Sequence, residues 1–247
     1  MPEFMLMQTV KTSAQPPCRP EAGRRGNHVR PACLAICLLA FLPGFCGEAS
    51  AESADANAIL SGWLNAQTHM QTWSADFTQT RTLKSLTQPL TATGHVWFKA
   101  PGEFRWEVLK PSPTTAVRNA QELLVFYPRL KRAERYPLEG SQAGQWKDTL
   151  ALLDAGFPRS RSELEARFNI LSQSTANGIH EVALQPKSTT ARRIMPEIKI
   201  AFATEDFSLR STELAFTDGS TMKNVFTNAV MNPKVEESLF HPQLGSE

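Results

Sequence analysis

The sequence predicts an α+β fold dominated by one antiparallel sheet that has an apolar face, a polar face and few helices to cover it. Three observations carry this. Apolar and polar residues alternate in segment after segment, which is the period of a half-buried strand. Asn177-Gly178 and Asp218-Gly219 fall between apolar runs, where two-residue hairpin turns belong. Two stretches show helical spacing, and a sheet that large tends to curl, leaving them its concave side to cover.

The elements follow in order. Asp55 to Met70 reads as a helix, with Ala58, Ile59, Trp63 and Ala66 at helical spacing and Leu60 and Leu64 beside them. The period then changes to two over Trp73 to Thr80. Thr91 to Lys99 continues it, with Val96 and Phe98 on one face and His95, Trp97 and Lys99 on the other. Pro101-Gly102 is a turn signal, and beyond it Phe104, Trp106 and Val108 alternate with Arg105 and Glu107. Two or three further strands are expected between Thr114 and Arg135. Trp146, Leu150 and Leu153 mark a helical interlude closed by Gly156 and Pro158, and Ser162 to Glu165 starts another short helix. Strands return at 168–172, 181–185, 197–203, 209–216 and 222–230. Ile198, Ile200 and Phe202 face one way, Glu197, Lys199 and Ala201 the other.

The first 51 residues have the form of an export signal. Arg24, Arg25 and Arg30 precede an apolar run from Ala32 to Leu42, and Ala49-Ser50-Ala51 is a small-residue stop of the type signal peptidases cut. The run is about a dozen residues, against the ~20 needed to span a bilayer. All four cysteines (Cys18, Cys33, Cys37, Cys46) lie in this leader. Phe45 and Pro43 before Cys46 make a poor lipidation signal. The expectation is a chain cut near Ala51 and released into the periplasm, with residues 52–247 forming one cysteine-free domain.

The whole chain carries net charge +2. The leader holds Lys11, Arg19, Arg24, Arg25 and Arg30 against Glu3, Glu21 and Glu48, so the remainder is neutral and lacks the basic excess of a nucleic-acid binder. His69, His95, His180 and His241 have no metal-ligand spacing, and nucleophile-elbow, P-loop and dinucleotide signatures are missing. The expectation is a monomer with no catalytic role and no cofactor or metal. Glu103 and Glu107 flank Arg105 on a polar strand face, where charge pairing is expected. The run Arg129-Leu130-Lys131-Arg132-Ala133-Glu134-Arg135 reads either as a solvated sheet edge or as a docking patch for an acidic partner or anionic membrane, with Arg129, Lys131 and Arg132 as contacts.

Trp73, Phe77, Phe98, Phe104, Trp106, Phe202 and Phe216 share one side of the sheet by strand parity. They line either a packed core or an apolar chamber, and both need inward apolar side chains. Val96, Val108, Ile198, Ile200, Trp146 and Leu150 complete the set.

Phe77-Thr78-Gln79, then Gly94, then Phe98-Lys99-Ala100-Pro101-Gly102-Glu103-Phe104-Arg105-Trp106, then Tyr127-Pro128, resembles the LolA family of periplasmic lipoprotein carriers. Asp218-Gly219, Phe226, Asn228 and the terminal Leu239-Phe240-His241-Pro242 are similar to that family too. The resemblance implies a strongly curved, incompletely closed half-barrel with helices as a lid. It implies a carrier that takes acylated lipoproteins from an inner-membrane ABC transporter, shields their acyl chains, and passes them to an outer-membrane lipoprotein acceptor. It places Phe104 at the cavity mouth, in contact with transporter and lid, and Trp106 deeper inside. The chain departs from the family at Ala100, where Arg is frequent, and in the insert from Gly140 to Arg161, whose inward residues would be Trp146 and Leu150. These departures leave open another exported lipid, supplied by its own exporter, as cargo. A lipoprotein-sensing regulator with this fold is the competing class.

Burying one methylene contributes ~0.8 kcal/mol, so one long acyl chain offers ~12 kcal/mol. Two or three fully buried chains would pass the practical affinity ceiling of about −20 kcal/mol. A carrier that must release needs a loosely packed or incompletely closed chamber.

Overall fold

The computed structural model of the chain describes residues 48–138 and 157–242. Helix α1 (Glu48–Thr68) leads into β1 (Thr72–Thr82), β2 (Leu90–Lys99), β3 (Glu103–Lys110), β4 (Thr114–Arg118), β5 (Glu122–Tyr127) and β6 (Arg132–Pro137). Helix α2 (Arg161–Arg167) precedes β7 (Phe168–Ala176) and β8 (Ile179–Pro186). Helix α3 (Thr189–Ile194) then leads to β9 (Glu197–Ala203), β10 (Leu209–Ala215) and β11 (Thr221–Met231). Short 3-10 turns lie at Pro128–Leu130 and Glu237–Phe240.

The eleven strands form one sheet in the order β6-β5-β4-β3-β2-β1-β11-β10-β9-β8-β7, and the neighbouring pairs run antiparallel. The first strand pairs with the last at the centre, and two meanders grow outward from that seam. Edges β6 and β7 do not pair, so the sheet is an incompletely closed half-barrel. Strands β6 and β7, consecutive in the chain, are therefore the sheet's two edges.

Alternation produces this arrangement directly. Trp73, Ala75 and Phe77 of β1 stand opposite Phe98, Val96 and Gly94 of β2, and all project to the inner face. One apolar cluster covers that face, from Leu123 and Val125 on β5 to Val182 and Leu184 on β8. Leu60, Trp63 and Leu64 of α1 join it, so the helix lies on the inner side as the pattern requires. At Gly94 a side chain is sterically forbidden. An added Cβ would lie 1.8 Å from the Glu107 carbonyl oxygen and 2.7 Å from the Phe77 ring.

Of the two or three strands expected between Thr114 and Arg135, three form: β4, β5 and β6. Asn177 and Gly178 have φ of 52° and 75°, the left-handed pair that a tight hairpin turn requires. Helix α2 is capped by Ser160, whose hydroxyl accepts from the Glu163 N–H at 3.1 Å. Two differences from the sequence reading stand out. Helix α1 begins at Glu48 and not at Asp55. Helix α3 was not expected, because its short run TTARRI buries Ala191 alone and has no apolar period; the Ser188 hydroxyl caps it by accepting from the Ala191 N–H.

Candidate functional site

The inner face is the candidate site. Trp73, Phe77, Val96, Phe98, Phe104, Ile198, Ile200, Phe202 and Phe216 are all buried within its single apolar cluster, and Trp106 and Val108 are partly buried against it. Trp146 and Leu150 lie outside the described residues. Strand parity alone brought eleven of the thirteen lining residues together on one face.

The rings form two groups. In the first, Trp106 packs on Phe77 with centroids 4.3 Å apart, and Phe226 bridges to Trp73 at 5.2 Å. Phe157 completes this group, stacking on Phe98 at 4.2 Å and tilting against Trp73 at 5.1 Å. The second group lies under α1. Trp63 stacks on Phe202 at 4.7 Å and 4°, and Phe207 flanks Phe202. Sequence reasoning put Trp63 in a helix without assigning it to the site. It did not find Phe157 at all, because one aromatic beside a proline has no period to betray it.

Polar groups bound the apolar surface. Gln79 donates to Asn224 at 3.0 Å, and Asn224 to Thr212 at 3.2 Å, making a ladder across β1, β11 and β10 at one end of the inner face. His180 is fully buried beneath Phe202. Its Nε2 lies 3.3 Å from Gln173 Oε1, which only accepts, so Nε2 carries the proton and Nδ1 accepts from Thr175 at 2.7 Å. Burial holds this imidazole below its ordinary value. On α1, Trp63 Nε1 and Gln67 Oε1 are buried one turn apart without a hydrogen-bond partner among the described residues.

The outer face is charged and tied down. Asp76 accepts from Asn228 and from His95, each at 2.7 Å, and those bonds hold its carboxyl below the usual range. Lys99 bonds Glu237 at 2.6 Å and pairs across the strands with Glu103 at 3.1 Å, as expected of a charged strand face. Arg105 donates to Glu107 at 2.6 Å along its own strand. Arg105 also reaches the Leu239 carbonyl, and Phe240 is fully buried outside the inner cluster, so the terminal motif straps the outer side of β3.

Two features of the placement stand out. Phe104 sits beside the β2–β3 turn, yet only 6% of its surface is exposed, whereas Trp106 keeps partial exposure. Trp106 packs on Phe77 at 4.3 Å and meets Phe226 edge-on at 6.3 Å. The partner-contact residues also separate. Phe104 pairs with Arg118, in line with Leu123 and Tyr136, whereas Arg132 pairs with Tyr127 at the opposite end of the strands. About five residues at ~3.3 Å each place Arg129, Lys131 and Arg132 roughly 15 Å from Phe104 along the strand direction. The basic run itself divides into a turn at Pro128–Leu130 and the exposed edge strand β6. An open, polar depression of about 360 Å³ beside β7, lined by Arg161, Glu165 and Lys187 among others, shares no residue with the inner aromatic groups.

The profile described as outer membrane lipoprotein carrier protein LolA matches residues 68–243. The chain belongs to the LolA family. That match spans the whole sheet and the terminal strap. The outer-membrane lipoprotein carrier protein of Hahella chejuensis is 27% identical over 197 residues, covering 78% of this chain and 88% of that protein. Its counterpart in Dechloromonas aromatica is 24% identical over 170 residues, covering 69% and 76%. Among solved structures, a LolA superfamily protein from Nitrosomonas europaea aligns at 10% identity and a TM-score of 0.40, covering 75% of this chain and 96% of its own. The LolA family is one of carriers, and its members are not enzymes.

Proposed function

We propose that this protein is a periplasmic carrier that shields the acyl chains of lipoproteins against its inner aromatic face and moves them from the inner membrane toward the outer membrane. The family match over residues 68–243 carries the reading. The continuous apolar inner face, partly open at Trp106, supports it. The donor is an inner-membrane ABC transporter and the receiver an outer-membrane lipoprotein acceptor, with Phe104 at the β2–β3 turn as a contact. The working form is a monomer cut near Ala51. The protein hydrolyses nothing, and direction comes from affinity differences along the route. Incomplete closure keeps the burial of acyl chains below the point at which release becomes too slow.

Ala100 favours a second reading of the cargo. Its backbone N–H is held by the Gln71 carbonyl at 2.8 Å, and its methyl packs on the apolar cluster, where the family's frequent Arg would offer a charge. Another exported lipid, delivered by its own exporter, fits that change.

Mass spectrometry of material co-purifying with the secreted protein decides between the two cargoes. Trp106→Glu tests the site. At a partly exposed position the new carboxylate reaches water, so the melting temperature should hold within a few degrees while cargo retention is lost. A large fall in melting temperature with no separate cargo defect would show a packed core and defeat the carrier site.

A further inference from the structure

The two most exposed large apolar side chains among the described residues are Leu130 (63%) and Leu109 (57%). They lie at one end of the sheet, Leu109 as the penultimate residue of β3 and Leu130 in the turn after β5. A hydrogen bond from Arg129 Nη1 to Ser112 Oγ, 3.2 Å, ties that turn to the β3–β4 connection. Lys110, Arg129 and Lys131 stand exposed beside the leucines. Residues 109–113 and 128–131 include no acid. The nearest acids on the flanking strands are engaged, Glu107 by Arg105 and Glu134 by Arg132 and Tyr136. The β1–β2 hairpin adds exposed Leu86 and Leu90 at the same end of the sheet.

We propose that this loop end is a docking surface for an anionic membrane, with Leu109 and Leu130 entering the headgroup layer while Lys110, Arg129 and Lys131 meet the lipid phosphates. The pairing of protruding apolar tips with uncompensated cations is what an interfacial surface needs, because neither the electrostatic nor the apolar component alone anchors strongly. A solvated sheet edge explains the cations but not two leucines more than half exposed. An acidic protein partner would use the cations, yet it would leave the leucines without a function unless it also brought an apolar groove. The surface stands about 15 Å along the strands from Phe104, so docking leaves the β2–β3 turn accessible. This inference does not depend on the carrier reading, since empty protein is sufficient to test it.

The experiment is sedimentation of the secreted protein with vesicles of phosphatidylglycerol and phosphatidylcholine, beside pure phosphatidylcholine, at low and physiological salt. Binding is expected to the anionic vesicles and to weaken with salt. The double change Leu109→Ser with Leu130→Ser should lower the partition coefficient about tenfold per leucine. Lys110→Gln, Arg129→Gln and Lys131→Gln together should lower it about a hundredfold. All five positions are exposed, so unchanged melting curves confirm that the fold persists. No sedimentation of the wild type with anionic vesicles would overturn the proposal. Loss on charge removal with full binding by the leucine variant would also overturn it, pointing instead to an acidic macromolecule.

Discussion

The two wings of the sheet carry the same alternating pattern but are covered in different ways. On β7–β10, helix α1 supplies the cover: Trp63 lies flat on Phe202, and Phe207 sits so close to Gly62 that an added Cβ would come 2.6 Å from its ring. Ile198, Ile200, Val182 and Leu184 fill the space beneath. On β1–β3 the inner side chains are mostly rings that touch one another, with Phe157 laid across Phe98 and Trp73 and with Trp106 partly open. One wing is a helix-covered core. The other is a surface of rings that lean on one another. On the carrier reading proposed above, the same periodicity serves stability on one side and binding on the other.

The sharpest way to break this contrast is a matched pair of truncations. Phe202→Ala removes a fully buried ring under α1 and should cost about 3–5 kcal/mol of stability, read as a shift in the urea midpoint. Trp106→Ala, at a partly exposed site, should cost less than half as much while reducing acyl-chain retention more. Equal costs, or a cargo defect confined to Phe202→Ala, would show that the wings do not differ.

Next in size is Gly94→Ala. The added methyl meets the Glu107 carbonyl and the Phe77 ring. It should destabilise by about 1–3 kcal/mol through overpacking and forced strand separation. The near-ultraviolet circular dichroism of the Trp106–Phe77 pair should change with it, which sharpens the assignment of these rings to one group.

The smallest effect is a pH slope confined to the helix-covered wing. Burial depresses the His180 pKa from its ordinary 6.5. As pH falls below about 6.5 the unfolded chain takes up a proton that the folded chain resists, so stability is lost on acidification through that interval. Above it, the contribution of neutral His180 is fully present. His180→Phe should flatten the stability difference between pH 7.5 and pH 5.5, measured by denaturant titration. An unchanged slope would place the pH dependence elsewhere.

Much of this architecture was legible in the residues, and the reason is local. Strand alternation is a property of four to eight neighbours, so Val96 and Phe98 could be set against His95 and Trp97 without knowing any partner strand. Turn chemistry is local as well, and Asn177-Gly178 and Asp218-Gly219 mark hairpins where they stand. Parity then assigned residues as distant as Phe77 and Phe202 to one face. The resemblance added the half-barrel and the carrier role, through motifs that the geometry explains: Gly94 lies under Phe77, and Phe240 is the buried anchor of the outer strap.

What only the tertiary structure decided is non-local. The seam between β1 and β11 joins segments about 150 residues apart, and no local pattern selects that partner. Phe157 reaches Phe98 and Trp73 from the connection between the two edges. The exposure of Trp106 and burial of Phe104 depend on neighbours that strand parity does not count. The meeting of residues 109–113 with residues 128–131 likewise needed β4 and β5 to lie between them in the sheet. Periodicity states which side of a strand a residue faces, while the packing of elements remote in sequence decides whether that side is closed core, open aromatic surface or an exposed leucine beside a cation.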